Sequence, residues 1–161
     1  ILKVKQMKKV FLIAIICTLV DQVIKLIITN SLDFGGSIQI IPSLFSLTLL
    51  QNTGAAFSIF SSGTIVLILV SLVALNLIYW FLIKDKDLNK LETIVYGVLI
   101  GGILGNLIDR VFYGYVIDYL DFNILGFNFP VFNFADICIV VTIILIIIFT
   151  LKGEKDARKS K

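Results

Sequence analysis

The chain has 161 residues, of which 58% are hydrophobic and 16% charged, with a formal net charge of +3. A soluble domain is typically about half apolar and about a quarter charged, so this composition indicates one domain, residues 1–161, that lies mostly in a lipid bilayer. There is no histidine, and both cysteines lie within apolar runs, which excludes Ser-His-Asp sites, Cys-His sites and His-ligated zinc.

Four apolar segments are candidates for membrane-spanning helices: about residues 10–28, 64–83, 93–111 and 137–151. The first three have roughly the 20 residues that a helix needs to cross the hydrocarbon. The fourth is shorter, and we expect it to extend outward through Phe134. Charged residues interrupt the first segment and no small-residue cleavage site follows it, so we expect a retained helix and not a cleaved signal peptide.

The basic residues predict the orientation of these helices. Twelve of the fourteen Lys and Arg residues precede the first segment, lie between the second and third, or follow the fourth. An even number of crossings places these parts on one side, and the positive-inside rule assigns that side to the cytoplasm. We therefore expect both termini in the cytoplasm and the connections at about 29–63 and 113–133 on the outer face.

The two outer connections contain weaker structural signals. In the first, Ser37–Ile41 and Phe45–Leu50 resemble short strands, and Ala55–Phe60 resembles a short amphipathic helix. The second, YGYVIDYLDFNILGFNFPVFN, is dense in aromatic residues, which commonly anchor loops at a membrane interface. Each connection taken alone is equally compatible with an interfacial loop.

The third segment has glycines at every fourth position, Gly97, Gly101 and Gly105. Small residues at this spacing let a neighbouring helix approach closely. The same stripe continues for one turn to Asp109, with Asn106 and Arg110 beside it. Close packing would therefore aim this polar cluster into the helix bundle.

Two pairs of charged residues lie near helix ends. Asp21 and Lys25 are four positions apart on one face of the first helix, and Asp109 is next to Arg110. Such pairs commonly lock helices together or reach toward the interface. They would also suit the charge relay of a small four-helix transporter or channel, or a membrane scaffold with paired charges, so these alternatives remain open.

Three further acids, Asp118, Asp121 and Asp136, have no basic partner nearby in sequence. Asp136 alone is most simply a helix cap, and Asp118 alone an exposed strand residue. However, Asp118 follows the third helix and Asp136 begins the fourth, so both lie near the outer interface. Two carboxyls brought together share one proton, which is the requirement for an aspartic peptidase.

Five segments, in order, carry a resemblance to a known family: DQVIK at 21–25, QNTGAAFS at 51–58, GNLIDR at 105–110, VIDY at 116–119 and FNFAD at 132–136. They resemble the signature segments of signal peptidase II, the lipoprotein signal peptidase of aspartyl peptidase family A8. They extend from the first predicted helix to the fourth. A departure such as Tyr119, where phenylalanine is common, is mild.

The resemblance implies a mainly helical bacterial membrane protein with four transmembrane helices, a small extracytoplasmic β-cradle and a short interfacial helix. It implies an endopeptidase of the cytoplasmic membrane, active near the outer face, that cleaves diacylglyceryl-modified prolipoproteins immediately before the lipidated cysteine. Asp118 and Asp136, and not Asp121, match the catalytic aspartates. Members of the family are blocked by globomycin. Because the sequence contains no metal-ligand constellation, we expect no metal or cofactor; we also expect contacts with membrane lipids and a monomer that binds no nucleic acid.

The resemblance also implies supporting roles. Structural support is implied for Asp21 and Lys25. Substrate binding or support of the site is implied for Asn52, Gly54, Asn106, Asp109, Arg110, Asn133 and Ala135.

Overall fold

A computed structural model describes residues 2–54, 63–84 and 86–159. The helices are α1 (Leu2–Ser31), α2 (Thr64–Leu77, continued by the π-helical segment Ile78–Ile83), α3 (Lys90–Tyr113) and α4 (Phe134–Lys159). The strands are β1 (Ser37–Ile41), β2 (Phe45–Asn52), β3 (Val116–Ile124) and β4 (Phe127–Asn128). Most of the described chain is therefore helical, and the strands occupy the two connections predicted to lie outside.

The structure confirms the predicted fold class. Four helical stretches are long and apolar enough to cross a membrane: Val4–Ser31, Thr64–Ile83, Lys90–Tyr113 and Phe134–Leu151. The fourth helix begins at Phe134, as expected, because its apolar run needs that turn to reach the length of a span. The two predicted strands are present, the second extending to Asn52. The predicted short helix at Ala55–Phe60 lies outside the described residues.

Helix α3 is the central element, because its glycines allow two neighbours to approach. A Cβ at Gly101 would lie 2.8 Å from the carbonyl oxygen of Ala14 on α1. A Cβ at Gly102 would lie 2.8 Å from the carbonyl oxygen of Ala135 on α4. Both distances are too short for a real side chain, so α1 and α4 lie against α3 on two sides. The contact at Gly101 is the close approach that the stripe predicts.

The ends of α3 are defined by specific caps. Asn89 and Glu92 form a reciprocal capping box, with the Glu92 N–H donating to Asn89 Oδ1 at 2.9 Å. The other end stops at Gly114, whose φ of 80° lies in the left-handed region that glycine adopts without strain. This turn directs the chain into β3, which starts two residues later at Val116.

The four strands form one antiparallel sheet in the order β1-β2-β3-β4. A bulge between Leu47 and Leu50 shifts the register of β2 on β3, and Leu50 then faces Asp118. The chain then leads from the sheet to α4 through Phe132, which forms an antiparallel β-bridge with Leu120. Phe122 stacks on Phe132, with ring centroids 5.7 Å apart. The sheet thus places β3 beside the start of α4.

Candidate active site

Asp118 lies in the buried first half of β3 and is only 2% exposed. Each of its carboxylate oxygens accepts one side-chain amide. Asn52 Nδ2 donates to Oδ2 at 2.8 Å, and Asn133 Nδ2 donates to Oδ1 at 2.7 Å. Asp118 is thus not the exposed strand residue that its isolated pattern would allow.

Asp136 lies in the first turn of α4 and forms a reciprocal cap with Asn133. The Asn133 backbone N–H donates to Asp136 Oδ2 at 3.1 Å, and the Asp136 N–H donates to Asn133 Oδ1 at 3.0 Å. Asn106 Nδ2 donates to the other carboxylate oxygen, Oδ1, at 2.7 Å. The capping interpretation of Asp136 is therefore correct, and it is compatible with a second role because Asn133 contacts Asp118 as well.

The two aspartates are thus joined through Asn133, and three neutral carboxamides surround them. The orientation of each amide follows from what its oxygen accepts. Asn52 Oδ1 accepts the Gly54 N–H at 2.9 Å, and Asn133 Oδ1 accepts the Asp136 N–H. Asn106 Oδ1 accepts from the Lys25 ammonium at 3.1 Å. Each amide must therefore present its NH₂ group to a carboxylate.

The environment of Asp118 favours its protonated form. Burial, followed by the nearby carboxylate of Asp136, raises the pKa of Asp118 from 3.8 to about 7. The hydrogen bonds from Asn52 and Asn133 oppose this shift only in part. This shift favours a proton on Asp118 at neutral pH.

Behind the aspartates lies a buried ionic cluster, which we call the Lys25 cluster: Asp21, Lys25 and Asp109. Lys25 Nζ lies 2.8 Å from Asp21 Oδ2 and 2.7 Å from Asp109 Oδ2. The lysine is 1% exposed and both acids are 0% exposed. A buried charge is tolerated only when it is paired and hydrogen-bonded, as it is here.

The Lys25 cluster also holds the elements that carry the two aspartates. Asp109 Oδ2 accepts the backbone N–H of Ile117 at 3.1 Å, next to Asp118. Asp21 Oδ1 accepts the backbone N–H of Ala135 at 3.1 Å, next to Asp136. These contacts favour the supporting role over a charge relay.

Arg110 and Gly54 connect the helical and sheet parts of the site. The guanidinium donates to the Gly54 carbonyl at 3.3 Å and to the Asn106 carbonyl at 3.4 Å. Asp121 lies apart from this arrangement, because it is an odd number of positions from Asp118 and so faces the opposite side of β3. Its carboxylate accepts from Thr48 Oγ1 at 2.8 Å.

A cleft of about 640 Å³ between α2, α3 and α4 reaches the site. Its polar end is formed by Asn106, Arg110 and Asp136, and the rest is almost entirely apolar. Asp118 does not line it. A ligand in the cleft would therefore meet Asp136 first, with hydrocarbon-compatible walls behind it.

Two contributors were missed by the sequence interpretation. Gln22 donates to Asp109 Oδ1 at 2.9 Å and to the Gly105 carbonyl at 3.2 Å, so it seals the Lys25 cluster. The Tyr119 hydroxyl accepts the Phe134 N–H at 3.2 Å at the start of α4. Gln22 could have been identified because it is a polar residue next to Asp21 in an apolar helix. Nothing local in the sequence indicated the contact of Tyr119.

The remaining candidate chemistry is limited. Within residues 2–54, 63–84 and 86–159, no group of three or more His, Cys, Asp or Glu side chains is arranged to hold a metal ion. Cys17 and Cys138 are buried free thiols whose sulfurs lie 3.6 Å apart between α1 and α4. They are small residues of the buried core.

Comparisons with known proteins agree with this architecture. Residues 13–152 match the family model described as signal peptidase (SPase) II. The lipoprotein signal peptidase of Staphylococcus aureus strain MRSA252 is 37% identical over 150 residues, covering 93% of this chain and 92% of the relative. That of strain JH9 is 36% identical over the same length and coverage.

Two solved structures are similar as well. A bacterial membrane enzyme determined by the in meso method at 2.3 Å superimposes with a TM-score of 0.83 and 37% identity, covering 91% of this chain and 90% of that one. A second, determined at 1.9 Å, gives a TM-score of 0.79 and 38% identity, covering 89% and 92%. With the family model and the curated relatives covering most of its length, the chain belongs to the signal peptidase II family of bacterial membrane peptidases.

Proposed function

We propose that this protein is an aspartic endopeptidase that removes the signal peptide of diacylglyceryl-modified prolipoproteins immediately before the lipidated cysteine. The observation that carries the proposal is the bridge from Asn133 to both Asp118 and Asp136. Membership of the signal peptidase II family supplies the substrate class. The Asp pair supplies the aspartic mechanism.

The surroundings of the two aspartates favour different roles. Asp136 caps a helix, where the macrodipole favours negative charge, and it lines the cleft. It is the ionised base. Asp118 is enclosed and its pKa is raised to about 7, so it is the proton donor.

The reaction then follows the general logic of an aspartic dyad. Asp136 takes a proton from water as the water oxygen attacks the scissile carbonyl carbon, and Asp118 gives its proton to the carbonyl oxygen. The tetrahedral intermediate collapses as the C–N bond breaks. The amine leaves with the proton held by Asp136, and Asp118 regains its proton from the intermediate. No metal or cofactor enters any step.

The cleft supports a lipid-anchored substrate. Its apolar walls on α2, α3 and α4 suit a hydrophobic signal segment or acyl chains arriving from the surrounding lipids, while its polar end presents Asp136. We further propose a single peptidase domain, residues 1–161, that works as a monomer with both termini in the cytoplasm and the site near the outer face. Globomycin would inhibit by occupying the site, and no role for nucleic acid is expected.

The test is cleavage of a purified diacylglyceryl-modified precursor by the wild type and by Asp118→Asn and Asp136→Asn. Both variants should lose cleavage almost completely while keeping the wild-type elution volume in detergent. Asp121→Asn is the matched control, since it makes the same chemical change on the opposite face of β3. Full activity of either Asp118→Asn or Asp136→Asn would contradict the proposal. Ion flux through proteoliposomes, abolished by the same substitutions, would instead favour a channel.

A further inference from the structure

The ammonium group of Lys25 makes three hydrogen bonds, and this uses all of its donors. It contacts Asp21 Oδ2 at 2.8 Å, Asp109 Oδ2 at 2.7 Å and Asn106 Oδ1 at 3.1 Å. The two acids would suffice to pair the charge. The third bond reaches a residue that itself touches Asp136.

This third bond fixes the Asn106 carboxamide in one orientation. Its oxygen faces two donors, the Lys25 ammonium and Asn133 Nδ2, both at 3.1 Å. If the amide were rotated by half a turn, its NH₂ group would face those donors and its oxygen would face the Asp136 carboxylate. An ammonium group has no acceptor, so the rotated arrangement has no favourable contact. The NH₂ group therefore stays against Asp136 Oδ1, at 2.7 Å.

We propose that Lys25 is a positioning residue for catalysis: through Asn106 it keeps a hydrogen-bond donor on Asp136 and so maintains this aspartate as the ionised base. The inference rests on the aspartic peptidase function proposed above. Lys25 is 1% exposed, and its hydrogen bond toward Asp136 runs through Asn106. This role goes beyond the structural support expected for Lys25, because holding two helices together does not require the hydrogen bond to Asn106.

The two roles predict different measurements. A structural clamp affects unfolding, whereas a positioning residue also affects the pH dependence of catalysis, because ionised Asp136 is required in the free enzyme. Other charges also act on Asp136, so a test must keep the local net charge constant. Among the residues that the structure describes, the charged groups that face the Lys25–Asn106–Asp136 path are Asp21 on α1, Asp109 and Arg110 on α3, and Asp118 on β3.

The double variant Lys25→Met/Asp109→Asn meets this condition, because it removes one positive and one negative charge together. We would measure kcat and KM for the diacylglyceryl-modified precursor across pH. The acidic limb of the kcat/KM profile should move upward by about one pH unit, the size that a hydrogen bond to a charged group supplies. The loss should appear in kcat more than in KM. Asp109→Asn alone is the control for direction: it keeps Lys25 against Asn106 and removes one negative charge, so its limb should stay in place or move to lower pH, opposite to the double variant, even if its melting temperature falls.

A thermodynamic cycle isolates the path through Asn106. In an Asn106→Ala background, adding Lys25→Met/Asp109→Asn should move the acidic limb no further, since no amide remains to be oriented. An additive shift there, or a wild-type profile in the double variant alone, overturns the inference. If the double variant does not fold, Lys25→Arg replaces it in the test. The guanidinium, like the ammonium group, only donates hydrogen bonds, so the acidic limb of this variant should match that of the wild type. A limb displaced as far as in Asn106→Ala would contradict the positioning role of Lys25.

The failure of this inference is distinguishable from the failure of the proposed function. If Asp118→Asn and Asp136→Asn abolish cleavage but the Lys25 variants keep the wild-type pH profile, only the positioning role is wrong. If either dyad variant remains active, the aspartic mechanism itself is wrong.

Discussion

Asp21 accepts the backbone N–H of Ala135 at 3.1 Å, a contact between residues 114 positions apart in the chain. It ties the first helix to the turn of α4 that carries Asp136. The other oxygen of the same carboxylate pairs with Lys25. The position of Asp136 therefore depends on the contact of α1 with the start of α4.

We predict that Gly105→Ala impairs catalysis by displacing Asp21. A Cβ at Gly105 would lie 2.5 Å from Asp21 Oδ2, so the carboxylate must shift away from Lys25 and Ala135. We expect a destabilisation of about 1–3 kcal/mol, typical of overpacking, together with at least a tenfold loss of kcat. Thermal unfolding in detergent and cleavage kinetics measure the two effects.

Gly97→Ala is the control for that prediction. Its Cβ would lie 2.7 Å from the Cβ of Ile13, a similar clash two turns away from Gly105. It should lower stability to a similar extent but leave kcat within about twofold of the wild type once folded protein is counted. Equal losses of kcat in both variants would show that α3 packing, and not Asp21, controls the site.

The pH dependence of cleavage should show a loss of activity as pH rises through about 7. The pKa of Asp118 is raised to about 7, mainly by burial, and the proposed proton donor is lost when this carboxyl ionises. Initial rates at subsaturating precursor between pH 5 and 9 measure the alkaline limb. A rate that stays constant up to pH 9 would contradict the donor role of Asp118.

The same carboxyl should make the folded protein less stable as pH rises from about 4 to about 7. In this window the folded state, with its pKa raised from 3.8 to about 7, retains a proton that the unfolded chain has released. Asp118→Asn removes this dependence. The stability of the variant relative to the wild type should therefore rise by roughly 4 kcal/mol between about pH 4 and pH 7 and above. Melting temperatures of the two proteins across pH test the trend.

Asn52→Ala should reduce cleavage without unfolding the protein. It removes the 2.8 Å hydrogen bond to Asp118 Oδ2 from a strand residue that is only half-buried. A hydrogen bond to a charged or proton-sharing group contributes about 1.5–3 kcal/mol, so kcat should fall about 10- to 100-fold. Asn128→Ala, which removes an exposed amide on β4 of the same sheet, should leave kcat unchanged.

Labelling with a membrane-impermeant maleimide tests the proposed orientation. Leu125 is fully exposed in the turn between β3 and β4, so Leu125→Cys should react in intact cells. Lys86→Cys, in the connection between α2 and α3, should react only after permeabilisation. The native thiols of Cys17 and Cys138 are buried and should contribute little background. Labelling of position 86 in intact cells would indicate the opposite orientation in the membrane.

The features that depend on local pattern could be predicted from the sequence. Long apolar runs define the four spans, and alternating residues define β1 and β2. The glycine stripe correctly predicted close packing against α3, because glycines spaced four positions apart lie on one face of a helix and let a neighbouring helix approach. The polar segments of the first and third helices were likewise recognisable, since charged residues are costly in hydrocarbon.

The connections within the site could not be predicted in the same way. Nothing in the order of residues shows that Asn133 contacts both Asp118 and Asp136, or that Asp109 binds the Ile117 N–H. These contacts depend on the register of β3 and on the bulge opposite it in β2. Resemblance to the family selected Asp118 over Asp121, whereas the structure gives the physical difference: the two carboxylates point to opposite faces of one strand.

The neutral amides around the aspartates have one more consequence. Mobile ions weaken attractions between exposed charges, but they have little effect on contacts made by uncharged donors or by ions sealed from solvent. The aspartates receive their donors from three carboxamides and a backbone N–H, and the ion pairs found behind them among the described residues are inaccessible to water. The geometry of the site should therefore be the same in dilute and in concentrated salt.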